Sequence, residues 1–273
     1  MNKAMRMVLT ACRKGLLILL VTMSFNPALA RAQSTMLPLL DIVLVHGAFT
    51  DGSSWSKVIV LLQKKGYRVT AVQNPLTSLA ADVSATIKVI DRQPHDVLLV
   101  GHSWGGAVVT EAGNHSKVKG LVYLSALAPD SGESVGRLLE RLQAPMEGMV
   151  PDANGQVWLD DPNTFAKVMA GDVASEEVRR LAAVQQPISA AAFSEKIGHA
   201  AWRGKPRWYL VTEGDHALPT TIQRKLAVMM AAPTVEIESS HMSLISHPEA
   251  IVDLIDEAAR MIKQSNPASK DKP

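Results

Sequence analysis

Cysteine occurs once in this 273-residue chain, as Cys12, inside an N-terminal segment expected to be removed. No disulfide can then staple the remaining chain, and its core must hold the fold unaided. The setting of Cys12, LTAC at 9–12, superficially matches a lipid-attachment box. Such a cysteine should follow an apolar region, whereas this one precedes it. Long hydrophobic runs are lacking too. The stretch 15–25 (GLLILLVTMSF) falls short of the ~18 or more residues of a membrane span. Basic residues stand before that stretch, and A-x-A patterns (ALA at 28–30, ARA at 30–32) follow it. Residues 1–32 therefore read as a secretory signal peptide, with an uncleaved membrane anchor as the competing reading. A secreted or periplasmic location is the corresponding expectation.

Runs of lysine and arginine are missing as well, apart from the terminal KDK at 270–272 in a polar tail, 265–273, expected to be disordered. Five of the 28 basic residues and none of the 26 acidic ones precede residue 33. Cleavage after Ala32 thus changes the formal charge from +2 to about −3. The basic precursor therefore gives no reason to expect a nucleic-acid partner. No His/Asp cluster has metal-ligand spacing, and neither a metal nor an organic cofactor is implied. The sequence contains no internal repeat.

What is present is a core-forming alternation in a chain that is 47% hydrophobic. Short β-branched runs at 41–45 (DIVLV), 67–72, 96–100 (DVLLV), 118–124 (VKGLVYL), 207–211 (RWYLV) and 234–238 (TVEIE) predict strands. Between them, 54–65, 78–91, 105–115, 219–230 and 248–262 carry helical periodicity. Nearly continuous apolar strands alternating with helices predict an α/β fold, a mostly parallel central sheet with helices on both faces. The stretch 130–201 breaks the alternation. It offers helix-like pieces at 134–142, 164–169, 175–184 and 189–197 and no convincing strand pair. About seventy residues exceed an ordinary crossover, so an inserted helical cap is expected within a single domain spanning 33–264.

One stretch carries chemistry. Residues 98–110 read LLVGHSWGGAVVT, a G-x-S-x-G pattern between an expected strand and an expected helix. At such a junction the serine sits in a tight, strained turn that lifts its Oγ above the carboxyl end of the sheet. Bulky residues flanking that turn would collide with backbone, hence Gly101 and Gly105. Ser103 needs a base. His241, in SSHM after the last strand, is placed for that role, and Asp215, in TEGDH after RWYLV, is placed to orient it. The order Ser…Asp…His fits a nucleophile-elbow hydrolase. Glu213 and Asp130 compete for the acid role. His46 and His102 are placed to shape turns, and His216 and His247 are read as structural or solvated. Two backbone amides must hold an oxyanion. Trp104 supplies one, and the loop VHGAF at 45–49 the other, with Ala48 the first choice and Phe49 the second. Phe49, Trp104 and Met242 are candidates for substrate contact. Trp158, Phe165 and Trp202 are candidates from the cap.

These motifs resemble the α/β-hydrolase superfamily over nearly the whole chain after residue 32. Within it, VLVHGAFTDGSSW, VGHSWGG, YLVTEGDHALP and SSHM are similar to the branch of small serine esterases that includes plant methyl-ester esterases and hydroxynitrile lyases. The resemblance implies cofactor-free cleavage of a small carboxylic ester. The lyases of that branch carry threonine after the first-loop histidine and lysine after the catalytic one. Gly47 and Met242 match the esterase pattern instead. A serine at 103 rather than an aspartate argues against dehalogenase and epoxide hydrolase chemistry. A lyase, a perhydrolase and a non-catalytic ligand-binding protein on the same fold remain the alternatives, because a fold alone does not set a reaction.

Overall fold

Six parallel strands lie side by side in the computed structural model, which describes residues 40–144 and 149–265. They are β1 (Leu40–Val45), β2 (Val69–Ala71), β3 (Asp96–His102), β4 (Val118–Leu124), β7 (Arg207–Thr212) and β8 (Thr234–Ile237), in the order β2-β1-β3-β4-β7-β8. A two-residue antiparallel pair, β5 (Gln156–Val157) with β6 (Ile188–Ser189), stands apart. The expected leader at 1–32 and all of the expected tail beyond Ser265 lie outside the described residues.

The central strands are buried on both faces, which is why they read as unbroken apolar runs. All six residues of β1 are buried, and six of the seven in β3. Each fully buried Leu, Ile or Val contributes about 1.5–3 kcal/mol. Helices cover the sheet: α1 (Ser56–Lys64), α2 (Leu79–Asp91), α3 (Gly105–Ala112), α7 (Thr220–Met229), α8 (Ser243–Ser246) and α9 (Pro248–Ser265). Ser78 caps α2, its Oγ accepting the Ala81 amide at 3.0 Å, and Pro248 opens α9 at a position that needs no N–H donor.

The crossover from β4 to β7 carries the cap: α4 (Val135–Leu142), α5 (Pro162–Met169), α6 (Ser175–Val184), the β5–β6 pair and two 3-10 turns. Two details differ from the sequence reading. The region does contain a strand pair, too short to show a period of two. The expected helix at 189–197 is the end of β6 followed by a 3-10 turn, Ala190–Ser194. Four alanines and serines around Phe193 give it little apolar stripe with which to hold a longer helix.

Sheet order fixes where a ligand can sit. From β1 the chain crosses to β2 on one side, and from β3 it crosses to β4 on the other. The loops leaving the carboxyl ends of β1 and β3 therefore diverge and leave a crevice. Val45 pairs with Gly101 in register, so the next residues of both strands, His46-Gly47 and His102-Ser103, face that crevice together.

Candidate active site

Ser103 adopts φ +53°, in the left-handed region that a non-glycine residue enters only when its surroundings compel it. The compulsion is visible in the contacts. A Cβ on Gly101 would lie 2.6 Å from the Gly105 carbonyl oxygen, and one on Gly105 would collide with the Val45 carbonyl. The carbonyl of Ser103 accepts the amides of Gly106 (2.9 Å) and Leu127 (3.0 Å), which fixes the turn from both sides. α3 starts immediately after it and is buried at every residue except Glu111.

The loop after β1 packs directly on the serine. A Cβ at Gly47 would lie 2.7 Å from the Ser103 Cβ, so this loop can approach the elbow only with glycine there. His46 braces the loop. Its Nε2 accepts the Asn74 amide (2.9 Å), leaving its Nδ1–H to donate to the Gly47 carbonyl (2.8 Å). Burial lowers its pKa, so the ring is neutral. Among the described residues, the amides of Ala48 and Trp104 donate to no protein acceptor. Phe49, at φ +60°, likewise lacks an amide partner.

Asp215 and His241 meet beyond the ends of β7 and β8. His241 Nδ1 lies 2.6 Å from Asp215 Oδ2, with both side chains essentially inaccessible to water. The carboxylate is heavily satisfied. Oδ2 also accepts the Thr212 hydroxyl and the Gln223 Nε2–H, and Oδ1 accepts the amides of Ala217 and Leu218, each at 2.8 Å. Burial pushes this carboxyl up, yet the His241 ring, the Leu218 amide and the Thr212 hydroxyl outweigh it and hold the pKa below its ordinary value. An ionised Asp215 fixes the proton of His241 on Nδ1 and leaves Nε2 free to accept one. His102, next to the serine, donates its Nε2–H to the His241 carbonyl at 2.9 Å. Burial, then the nearby His241, lowers the His102 pKa to about 3, so it stays neutral at working pH.

Ser103 and His241 open onto one cavity of about 60 Å³, walled otherwise by apolar groups: Ala48, Phe49 and Trp104 from the sheet side, Leu139, Met149, Met169 and Phe193 from the cap. Trp104 is held by its indole N–H, which donates to the buried Asp82 at 2.8 Å. The Ser103 hydroxyl makes no hydrogen bond to the imidazole in this structure. Alignment of such pairs commonly tightens only when substrate is bound.

Several candidates fall elsewhere. Met242 does not line the cavity. The chain turns into α8 at this residue, and its side chain enters the core, fully buried. Phe165 is sealed in the cap, Trp202 donates to the Pro129 carbonyl, and Trp158 is 46% exposed, bonded to Asp152. The rival acids are engaged on the surface, Asp130 with Arg203 and Glu213 with Arg224. Sequence reasoning missed Gln223, whose role depends on a contact from α7, and the cap residues Leu139, Met149, Met169 and Phe193, which only the folded cap brings together. Among the described residues no group of three or more His, Cys, Asp or Glu side chains could hold a metal ion.

An elbow serine on a six-stranded parallel sheet, with an acid and a histidine after later strands, defines a hydrolase class. Residues 42–254 match the family described as "Alpha/beta hydrolase family", and the chain belongs to it. Among curated relatives, a pyrethroid hydrolase of Sphingobium wenxiniae is 27% identical over 270 residues, covering 85% of this chain and 94% of the relative. Methylesterase 3 of Arabidopsis thaliana is 25% identical over 250 residues, covering 80% and 95%. Among solved structures, polyneuridine aldehyde esterase superposes with a TM-score of 0.69 at 22% identity, covering 80% of this chain and 98% of that one. That structural likeness speaks to fold alone.

Proposed function

We propose that this protein is a serine-dependent carboxylic ester hydrolase acting on a small substrate through an acyl-enzyme. The observation that carries the reading is the buried His241–Asp215 pair at 2.6 Å, opening onto the same cavity as the strained Ser103. The esterases and hydrolases among the relatives support the same chemistry.

Ser103 Oγ attacks the acyl carbon while His241 Nε2 takes its proton. The Ala48 and Trp104 amides, which have no acceptor among the described residues, hold the oxyanion that develops. Collapse of the tetrahedral adduct expels the alcohol, which receives the proton from His241. A water then repeats the sequence on the acyl-enzyme, with His241 again as base, and releases the acid. Asp215 stabilises the imidazolium at both stages. Gly47 stands where the lyases carry threonine, so the side-chain hydroxyl they place beside the elbow has no counterpart here, which supports hydrolysis over the lyase alternative. Export to a secreted or periplasmic compartment is proposed from the leader pattern at 1–32.

Ser103→Ala tests the reading. Hydrolysis of short p-nitrophenyl esters should fall by up to about 10⁶-fold with the fold retained. Undiminished turnover by that variant refutes it.

A further inference from the structure

The cap does more than wall the cavity. Asp172, in the loop between α5 and α6, receives three hydrogen bonds from the two residues that precede His241. Its Oδ2 accepts the Ser239 hydroxyl and the Ser240 amide, each at 3.0 Å, and its Oδ1 accepts the Ser240 hydroxyl. On the other side of His241, the Met242 amide donates to the carbonyl of Met169, the last residue of α5, at 3.1 Å. Both peptide neighbours of the histidine are thus tied to one short cap segment, residues 169–172.

That segment is also a cavity wall, since Met169 lines the space into which Ser103 and His241 open. From below, the elbow ties to the His241 backbone through the His102 ring on its carbonyl. The Asp215 bond orients the imidazole but does not fix the loop. The Gly214 amide also ties the His241 loop to the acid loop, donating to the Ser239 carbonyl at 2.9 Å. The position of the imidazole relative to Ser103 Oγ is therefore set jointly from the end of β7 and from the cap. His247, 3.6 Å from Asp172, flanks the same carboxylate from the rim at the start of α9.

We infer that Asp172 is a positioning residue for His241, clamping the base loop to the end of α5 so that a seated cap and an aligned base occur together. The inference rests on the esterase reading. Proton abstraction is steeply sensitive to geometry, because misplacement of about 1 Å can cost on the order of 10²-fold in rate. The three bonds to a carboxylate are of the strong, charge-assisted kind. A group that only stabilised the cap would influence substrate binding and melting, whereas one that sets the base influences the chemical step.

The test compares wild type, Asp172→Ala, Asp172→Asn and Ser103→Ala with short p-nitrophenyl esters, reading kcat and KM separately, alongside Tm and the rate of Ser103 labelling by a fluorophosphonate probe. The alanine variant should lose about ten- to a hundredfold in kcat and in labelling rate, with KM within about twofold of wild type. The asparagine variant keeps an acceptor oxygen in place and should recover part of that loss. Alanine kinetics within twofold of wild type overturn the inference, as does a KM increase paralleling a lowered Tm with kcat unchanged. Ser103→Ala separates the two ideas: if it retains turnover the esterase reading has failed, and if it is dead while Asp172→Ala is fully active only the clamp has failed.

Discussion

The rim of the sheet and the cap meet at one cavity but are built from opposite materials. The rim supplies backbone amides, a carboxylate with five donors, and glycines that allow the β1 loop to touch the elbow. The cap supplies methionine, leucine and phenylalanine. Polar groups fixed by many short bonds hold their geometry to a fraction of an ångström, as transition-state stabilisation requires. Apolar walls of flexible side chains are tolerant of shape. Change on the rim should therefore register in kcat, and change in the apolar cap walls chiefly in KM, with Asp172, the polar tie from the cap to the His241 loop, as the exception.

The sharpest way to break that division is Asp215→Asn. The amide keeps the shape but cannot enforce the Nδ1–H tautomer of His241, so kcat should fall by about 10³–10⁴-fold with KM little changed. Steady-state kinetics decide it; a variant within tenfold of wild type would remove Asp215 from the machinery. Next comes Phe193→Ala. This cap residue packs on Trp104 at a ring-centroid distance of 5.1 Å. Its truncation should raise KM for bulky apolar esters by about 5- to 50-fold, from the lost burial, and leave kcat for a small acetate ester near wild type. An equal loss of kcat on both esters would erase the distinction between rim and cap.

The smallest expected effect concerns Asp82, which holds the Trp104 indole from α2. Burial pushes its carboxyl up to about 6 against the 3.8 of a free side chain. A raised carboxyl favours the protonated native state, so its contribution to stability grows as pH falls through about 6 and is complete below the unfolded value. The Tm difference between wild type and Asp82→Asn should accordingly shift in favour of wild type between pH 7 and pH 4. Parallel Tm curves across that window would show that Asp82 does not titrate there.

The sheet was legible because its signals are local. Each of the six strand runs needed only its own apolar residues, and the elbow declared itself through glycines at fixed offsets from Ser103. Asp215 and His241 could be located because the chain must surface after each parallel strand at the same end of the sheet. What was illegible depends on contacts across long separations. Nothing near Gln223 or Asp172 in the chain announces a bond to Asp215 or to the His241 loop. Met242 looked like a cavity residue by adjacency alone, and a single turn of backbone sends its side chain the other way. The cap resisted reading because two-residue strands and 3-10 turns carry no period.

β8 is the last strand of its sheet, bonded on one side only to β7, with Thr234, Val235 and Glu236 exposed. Its brevity and its outward charge discourage a second sheet from adding there. The same strand carries the loop that ends in the imidazole. Segments with few covering contacts are the first to open as a protein warms. Activity in this molecule should thus be lost at temperatures where the buried strands are still intact, inactivation running ahead of melting.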